Sequence, residues 1–357
     1  MTASAPLHVG IAGLGRLGQR HALHFAHKVQ GATLVTACSP VPDELAWARR
    51  ELGISALHAD YAAMLAHPGL DAVVLVTPTT LHTPQIIEAL NAGKHVFCEK
   101  PLSLDVEDCL RVEEAHARHP HQKVLIGFVR RFDASYQDAY ARVQRGDIGR
   151  PFYVRSQSAD KNDPSGFFVR FAPTSGGIFL DMNVHDIDCA RWFLGGPKIA
   201  RAFAVGTIAV HHGLKDCGDV DNGLAICEFE DGSLAHFYAT RTLAHGHESL
   251  TEIVGTGGRL TVGQNPRIDR VDIADAHGVR NDCTPTFWER FEDAFLREAQ
   301  AFVDIVRENR APPFTLSDAT EATRIGRMLT DAYRRRAVVE ATEFDGTALA
   351  RRDRVSR

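Results

Sequence analysis

The 357-residue sequence lacks the features that mark membrane-spanning, secreted or nucleic-acid-binding proteins. It contains no apolar run near the roughly 20 residues that a helix needs to cross a bilayer. Its formal net charge is −5, so it offers no basic field to nucleic acid or an anionic membrane. Residues 1–6 show neither the basic nor the apolar region of a secretory signal. We therefore expect a cytoplasmic protein without nucleic-acid or membrane partners.

Cysteines at metal-binding spacing are also absent. The seven cysteines are scattered along the chain, and no two of them have C-x-x-C spacing. Several lie in apolar runs, such as Cys98, where a free thiol behaves as a small hydrophobic side chain. The pattern indicates reduced thiols and no bound metal.

The first third of the sequence alternates short apolar runs with segments of helical periodicity. This alternation predicts a parallel sheet covered by helices on both faces, which is a doubly wound α/β fold. The predicted strands span residues 7–12, 32–38, 72–77, 95–98 and 124–128, and the predicted helices span residues 17–27, 43–52, 61–66, 84–91 and 105–119.

The pattern changes after residue 130. Strand-like runs joined by tight turns fill residues 200–273, which predicts an α+β domain around an open, mostly antiparallel sheet. We expect a doubly wound α/β domain over residues 1–128 and an α+β domain over residues 129–357, with a frayed charged tail after Gly346. The other predicted elements are helices at 134–145, 182–194, 287–309 and 317–336 and a strand at 151–158.

A glycine motif follows the first predicted strand. Gly13, Gly15 and Gly18 match G-x-G-x-x-G, a weak signal alone that the preceding strand and following helix make specific. The first glycine allows a tight turn, the second lets the backbone approach a pyrophosphate, and the third permits close helix packing. The motif predicts a dinucleotide site.

The end of the second predicted strand bears on the choice between NAD and NADP. An acidic residue is expected there to accept from the ribose 2′-hydroxyl, but the sequence has Ser39-Pro40. Ser39 offers that hydroxyl a weaker partner. The next cation is Arg49, so none is placed for a 2′-phosphate, and NAD is favoured.

Five sequence elements follow one another in a fixed order along the chain. They are the glycine loop, Glu99-Lys100-Pro101, the Gly-Phe-Val-Arg-Arg-Phe-Asp run at 127–133, Gly176-Gly177, and Asp181-x-x-x-His185. In this order they resemble the glucose–fructose oxidoreductase/inositol dehydrogenase/rhizopine catabolism (Gfo/Idh/MocA) family of NAD(P)-dependent oxidoreductases, over nearly the whole chain and most of all its inositol dehydrogenases. The resemblance implies an NAD-binding Rossmann domain over residues 1–128 and a substrate-binding and oligomerisation domain over residues 129–357. It also implies an NAD-dependent oxidation of a polyol hydroxyl and a homotetramer paired through the C-terminal sheet.

The chemistry expected of these residues follows from alcohol oxidation, which transfers a hydride to nicotinamide and requires a base for the hydroxyl proton. Lys100 lies at the carboxyl end of a predicted strand, where open α/β sheets bind ligands. Desolvation beside a cationic ring would lower the pKa of this lysine. Because lysines are abundant on protein surfaces, the position of Lys100 does not by itself indicate catalysis. Its catalytic role is what the resemblance implies.

Asp181 and His185 are four residues apart, which places them on one face of the predicted helix. Asp181 would hold the imidazole tautomer while His185 exchanges a proton with the substrate. The alternative is an N-cap aspartate and a core histidine. The resemblance implies the catalytic roles.

The remaining site residues are carried by the resemblance. Arg130 is expected to donate to a substrate hydroxyl, and Asp160 to bind the polyol, with Asp163 as its competitor. His245 and His247 stand where inositol dehydrogenases have two tyrosines, which leaves the exact polyol open. The residues expected to bind the dinucleotide are Gly13, Gly15, Arg16, Leu17, Ser39, Pro40, Thr77, Pro78, Thr79, His82, Glu99 and Lys100.

Three other functions fit parts of the sequence. An aldose dehydrogenase that forms a lactone would act on a similar ring of hydroxyls. A zinc enzyme would use the spacing of Asp181 with His185 and of His245 with His247, but nothing completes the ligand set. A non-catalytic dinucleotide-binding regulator would be expected to lose Lys100, Asp181 and His185, which this chain keeps.

Overall fold

A computed structural model describes residues 5–344 of the chain. It divides into two compact units. The first comprises the chain up to Val129 together with Asp293–Thr320, and the second comprises Arg130–Glu292 and the chain from Glu321. The charged tail after Gly346 lies outside the described residues.

The first unit is built around a six-stranded parallel sheet. Its elements are β1 (Leu7–Ala12), α1 (Arg16–His27), β2 (Ala32–Cys38), α2 (Pro42–Leu52), β3 (Leu57–His58), α3 (Tyr61–Leu65), β4 (Ala72–Leu75), α4 (His82–Asn91), β5 (His95–Glu99), α5 (Val106–Arg118) and β6 (Val124–Gly127). The strand order is β3-β2-β1-β4-β5-β6, with every pairing parallel. This confirms the predicted Rossmann fold, to which the structure adds the short β3.

The sheet is buried on both faces, as expected for parallel strands covered by helices. Every residue of β4 and β6 is buried. The strand order reverses between β1 and β4, and ligands of open α/β sheets bind beside the carboxyl ends of strands at such a switch point. The glycine loop follows β1 at this point.

The second unit contains a seven-stranded sheet. Its elements, with the two long C-terminal helices, are α6 (Ala134–Arg145), β7 (Pro151–Lys161), α7 (Phe167–Ser175), α8 (Ile178–Asp181), α9 (Val184–Leu194), β8 (Ile199–Thr207), β9 (Asn222–Phe229), β10 (Leu234–Leu243), β11 (Glu248–Gly255), β12 (Gly258–Val262), β13 (Ile273–Asp275), β14 (Gly278–Arg280), α10 (Phe287–Arg307), α11 (Leu316–Arg335) and β15 (Val339–Glu340). The order is β12-β11-β7-β10-β9-β8-β15, and only β7 and β10 pair in parallel. The predicted mostly antiparallel sheet is confirmed.

The region before β8 differs from the prediction. The helix expected at 182–194 is confirmed as α9, but Asp181 lies outside it, at the end of α8, and the N-cap residue of α9 is Asn183. Asp181 and His185 therefore do not share one helix face, and the argument from four-residue spacing is wrong here. The sequence analysis also missed α7, which contains Pro173 in its last turn.

The segment Asp293–Thr320 belongs to the first unit, whereas the sequence division at residue 128 assigned it to the second domain. The physical reason is aromatic packing on the Rossmann sheet. Phe302 meets Phe97 edge-on with ring centroids 5.9 Å apart, and Phe295 meets the His21 ring at 5.6 Å. Long as they are, α10 and α11 do not have the apolar character of membrane-spanning segments, and neither does any other helix within residues 5–344.

Candidate functional site

The glycine loop has room only for glycine at two positions. Gly13 has φ +90°, and a Cβ there would collide with the Val76 carbonyl oxygen. A Cβ on Gly18 would collide with the Gly13 carbonyl oxygen. Gly15 is the N-cap of α1 and has no side chain to occupy the N–H groups of the first helical turn. Such a helix start suits a diphosphate.

The end of β2 carries a side-chain pair that the sequence analysis missed. The Ser39 hydroxyl donates to Glu44 Oε2 at 2.5 Å and accepts from the Val41 N–H at 3.1 Å. Ser39 is buried, and Glu44 lies in the first turn of α2. The serine expected to contact the ribose is therefore bonded within the protein.

His82 joins two loops at the carboxyl edge of the sheet. Its Nδ1 lies 2.8 Å from the Pro101 carbonyl oxygen and its Nε2 lies 3.0 Å from the Thr77 carbonyl oxygen. Burial lowers the pKa of this histidine, with the two carbonyls acting against that effect. The ring holds the segment that contains Thr77, Pro78 and Thr79 to the Glu99-Lys100-Pro101 segment, so it shapes the loops expected at the dinucleotide.

Glu99 holds the backbone at Lys100. Its Oε1 accepts from His21 Nε2 at 2.7 Å, and its Oε2 accepts the Lys100 N–H at 3.2 Å. A Cβ on Gly127 would press on Glu99 Oε2 at 3.0 Å, which explains that glycine in the motif at 127–133. Glu99 is buried and bonded internally, so it is placed to position Lys100.

Glu298 lies beside this cluster in the first unit. Both carboxyl oxygens of Glu298 are buried with no hydrogen-bond partner among residues 5–344. Burial first, and then the charge of Glu99, raises the pKa of Glu298 well above its ordinary value. Both effects favour the protonated form of Glu298.

In the second unit, Arg130 is bound on all sides. Its Nη1 donates to Asp186 Oδ1 at 2.7 Å, and its Nη2 donates to Ser158 Oγ at 2.6 Å and to Ser249 Oγ at 3.1 Å. Burial, the largest single effect, lowers the pKa of Arg130, but the surrounding groups, with Asp186 first among them, together raise it. The expectation that Arg130 donates to substrate conflicts with this geometry, because both Nη atoms are engaged and the side chain is buried.

Asp160 and His247, two of the expected polyol-binding residues, are paired. His247 Nδ1 lies 2.9 Å from Asp160 Oδ1, and its Nε2 lies 3.3 Å from Ser249 Oγ. His247 is buried, while 27% of the Asp160 side chain is exposed. The Asp160 carboxylate is thus accessible to solvent, and the buried His247 ring holds it in place.

His245 and Asp163, the other candidates for polyol binding in this region, have different partners. His245 is exposed and pairs with Glu248 at 2.6 Å. Asp163 accepts the Ser165 N–H at 2.8 Å in an exposed turn. Of the two aspartates, Asp160 is therefore the better candidate for the polyol-binding carboxylate. Within residues 5–344 no group of three or more histidine, cysteine or carboxylate side chains is arranged to hold a metal ion.

Asp181 is held by an arginine that the sequence analysis missed. Arg241 is fully buried, and its Nη2 donates to Asp181 Oδ2 at 2.7 Å. Asp219 accepts the Ile178 N–H at 2.9 Å and so fixes the start of α8, which ends at Asp181. The signal for Arg241 was present, since it continues the inward row of Ala235, Phe237 and Ala239 along β10.

His185 lies in the first turn of α9, half-buried and next to the anchored Asp186. Asp186 accepts from Asn183 Nδ2 at 2.8 Å and from Ser156 Oγ at 2.7 Å. These bonds fix the helix turn that carries His185. Asp188 makes a bidentate pair with Arg131, at 2.8 Å for each bond.

A Rossmann unit with a glycine loop, followed by a unit that carries an anchored histidine and carboxylates, defines a dinucleotide-dependent oxidoreductase. The glycine positions and the uncapped helix start fit NAD. Residues 7–128 match the oxidoreductase family with an NAD-binding Rossmann fold, and residues 136–261 match the GFO/IDH/MocA C-terminal domain. The chain belongs to the GFO/IDH/MocA oxidoreductase family.

Relatives in this family are inositol dehydrogenases. The scyllo-inositol 2-dehydrogenase (NAD(+)) of Bacillus subtilis (strain 168) is 37% identical over 91% of this chain and 93% of its own. The myo-inositol 2-dehydrogenase of Thermotoga maritima is 32% identical over 90% of this chain and 94% of its own. A crystal structure of scyllo-inositol dehydrogenase from Lactobacillus casei with bound NAD(H) and scyllo-inositol has a TM-score of 0.91 and 40% identity, covering 94% of this chain and 99% of that one.

Replacing Glu298 with glutamine tests the protonated state of this residue. A raised folded-state pKa means that the unfolded chain releases the proton first, near 4.5, so the parent loses stability as pH rises above that value. Glu298→Gln cannot titrate and should gain stability relative to the parent between pH 5 and 8, by at most about 1.4 kcal/mol per pH unit. Urea unfolding at several pH values measures this, with the exposed Glu308→Gln as control. Parallel pH profiles for the parent and Glu298→Gln would contradict a raised pKa.

Proposed function

We propose that this chain is an NAD-dependent dehydrogenase that oxidises a secondary hydroxyl of a cyclic polyol, an inositol such as scyllo- or myo-inositol, to the ketone. The observation that carries the proposal is the 40% identity to a scyllo-inositol dehydrogenase crystallised with NAD(H) and scyllo-inositol, over 94% of this chain. The retained Lys100, Asp181 and His185 support a working enzyme over a non-catalytic regulator.

NAD would be held by the glycine loop and by the segments after β2, β4 and β5. Gly15 and the first turn of α1 offer backbone N–H groups to the diphosphate, and Arg16 and Leu17 belong to that turn. The Thr77–Thr79 segment, tied to Pro101 through His82, would border the nicotinamide part. When bound, NAD⁺ supplies the hydride acceptor.

Three side chains are proposed to act on the reacting hydroxyl. His185 accepts the hydroxyl proton, and Lys100 donates a hydrogen bond to the same oxygen and stabilises its developing negative charge. Asp181 is proposed to set the imidazole tautomer. Arg241 fixes the Asp181 carboxylate at 2.7 Å, which supports a fixed orientation for that group.

Asp160 and His247 are proposed to recognise the polyol. A partly exposed carboxylate accepts hydrogen bonds from vicinal hydroxyls, and the His247 ring holds it in place. We assign Arg130 a positioning role, because Ser249 links it to His247. His245 would contribute at most from the rim, as it is exposed and paired with Glu248.

We also propose that the enzyme is a cytoplasmic homotetramer. All seven cysteines are free thiols, which suits a reducing compartment. On the outer face of the second sheet, Phe203 lies opposite Ile226 and Val205 lies opposite Leu224. These four side chains are 37–53% exposed and form one apolar surface across β8 and β9. We propose that a second copy of the chain covers this surface.

The substrate class is tested by a screen of NAD reduction. An inositol isomer should give the highest kcat/KM, with D- and L-aldoses at least about tenfold lower, equivalent to about 1.4 kcal/mol in transition-state binding. Inositol stereoisomers and aldoses are assayed side by side with the purified enzyme. An aldose as the best substrate, with lactone as product, would instead establish the sugar dehydrogenase alternative.

The catalytic assignment is tested by three substitutions. His185→Ala should lower kcat by about 10²–10⁴ while NAD still binds, and Lys100→Met should be at least as damaging. Asp181→Asn should lose less, and the triple variant should be strongly non-additive. The exposed His212→Ala serves as control. If His185→Ala keeps more than half of the parent kcat, the proton acceptor is another group, and Lys100 becomes the candidate.

The apolar surface on β8 and β9 predicts the assembly state. The parent should sediment as a tetramer at micromolar concentration, and Ile226→Glu should shift it to smaller species, because a buried unpaired carboxylate costs several kcal/mol. Leu110→Glu changes an apolar side chain on α5 whose exposure is similar to that of Ile226, and this variant should stay tetrameric. A parent that sediments as a monomer would refute the tetramer.

A further inference from the structure

The residue at the end of β2 is not the expected acidic residue, but the fold brings a carboxylate from α2 to the same position. Ser39 occupies that position with 1% of its surface exposed, and its single hydroxyl proton is donated to Glu44 Oε2. The Ser39 oxygen also accepts the Val41 N–H. The group presented at the strand end is therefore the Glu44 carboxylate, and Ser39 is its support.

Glu44 reaches the glycine loop from α2. Its Oε1 lies 3.9 Å from the position of a Cβ on Gly15, the glycine that lets the backbone approach a pyrophosphate. Its Oε2 is fixed on Ser39 at the carboxyl end of β2. One carboxylate is thus held between the strand end and the glycine loop, the two elements that flank the adenosine ribose in this fold.

We propose that Glu44 is the residue that binds the adenosine ribose hydroxyls and makes this enzyme select NAD over NADP. The inference rests on the proposed NAD dependence. Of the two carboxylate oxygens, Oε1 remains free of the Ser39 bond and accepts from the ribose 2′-hydroxyl. Ser39 acts through Glu44 by fixing the side-chain direction.

The same carboxylate opposes NADP. A 2′-phosphate carries up to two negative charges, and placing it at the distance of a hydrogen bond from Glu44 would be strongly repulsive. The chain from Ser39 to Ala48 contains no lysine or arginine to neutralise it.

The test measures binding of NAD⁺, NADP⁺, 5′-AMP and adenosine 2′,5′-bisphosphate by titration calorimetry. The parent should bind NAD⁺ at least about tenfold more tightly than NADP⁺. Glu44→Gln should weaken NAD⁺ and 5′-AMP by about three- to tenfold and reduce the preference over the 2′-phosphorylated partner by about tenfold or more. Ser39→Ala keeps the Glu44 carboxylate but removes the hydrogen bond that fixes it. Its NAD⁺ affinity and its preference for NAD⁺ over NADP⁺ should lie between those of the parent and those of Glu44→Gln.

Asp43→Asn is the matched control, because it removes the same charge from the same turn without touching Ser39. It should keep the parent preference within about twofold. Equal ratios in Glu44→Gln and the parent, or an equal change in Asp43→Asn, would overturn the assignment. If Glu44→Gln does not fold, unchanged ratios in both Ser39→Ala and Glu44→Asp would overturn it as well. A parent that binds neither dinucleotide would instead refute the proposed function.

Discussion

One buried ion pair, Arg130 with Asp186, organises the polar interior of the second unit. Burying two charges costs several kcal/mol for each ion, so the pair persists only with close geometry and further hydrogen bonds. The structure supplies both: the ions are 2.7 Å apart, and Ser158 bonds to both of them. Removing either ion would leave the other buried and uncompensated, a loss of about 3–5 kcal/mol. Asp186 also fixes the first turn of α9, so the direction of His185 depends on this pair.

The first unit uses one residue type for three purposes, and the surroundings decide among them. Glu99 is buried with His21 and a backbone N–H as donors, so it positions the backbone at Lys100. Glu298 is buried without a hydrogen-bond partner among residues 5–344, and burial, followed by the charge of Glu99, raises its pKa. Glu44 is only half-buried and has one hydroxyl donor, and its proposed role is to bind the ribose. An equal count of carboxylates in another arrangement would not serve these three purposes.

Sequence patterns predicted the parts that depend on neighbouring residues. The limits of β1 and β2 agree with the prediction, because their apolar runs and turns are local. The glycine motif also predicted the loop in which the structure requires Gly13. What failed depends on residues far apart in the chain: Arg130 finds its partners at Ser158, Asp186 and Ser249, which no spacing rule connects. The short helix α8 was missed for the same reason, since its start is fixed by Asp219, far along the chain. The aromatic contacts that take Asp293–Thr320 into the first unit are equally non-local.

His245 and His247, expected from the family resemblance to stand where inositol dehydrogenases have two tyrosines, lie in different surroundings. A phenol both donates and accepts through one oxygen, whereas a neutral imidazole donates from one nitrogen and accepts at the other. At His247 both nitrogens are engaged, with Asp160 and Ser249, so this ring orients the Asp160 carboxylate. His245 is half-exposed and bonded to Glu248, so it contributes little fixed geometry. In the proposed site, discrimination between polyols would therefore depend on the direction of the Asp160 carboxylate. Because Ser249 ties His247 to Arg130, that direction is in turn set by the buried ion pair.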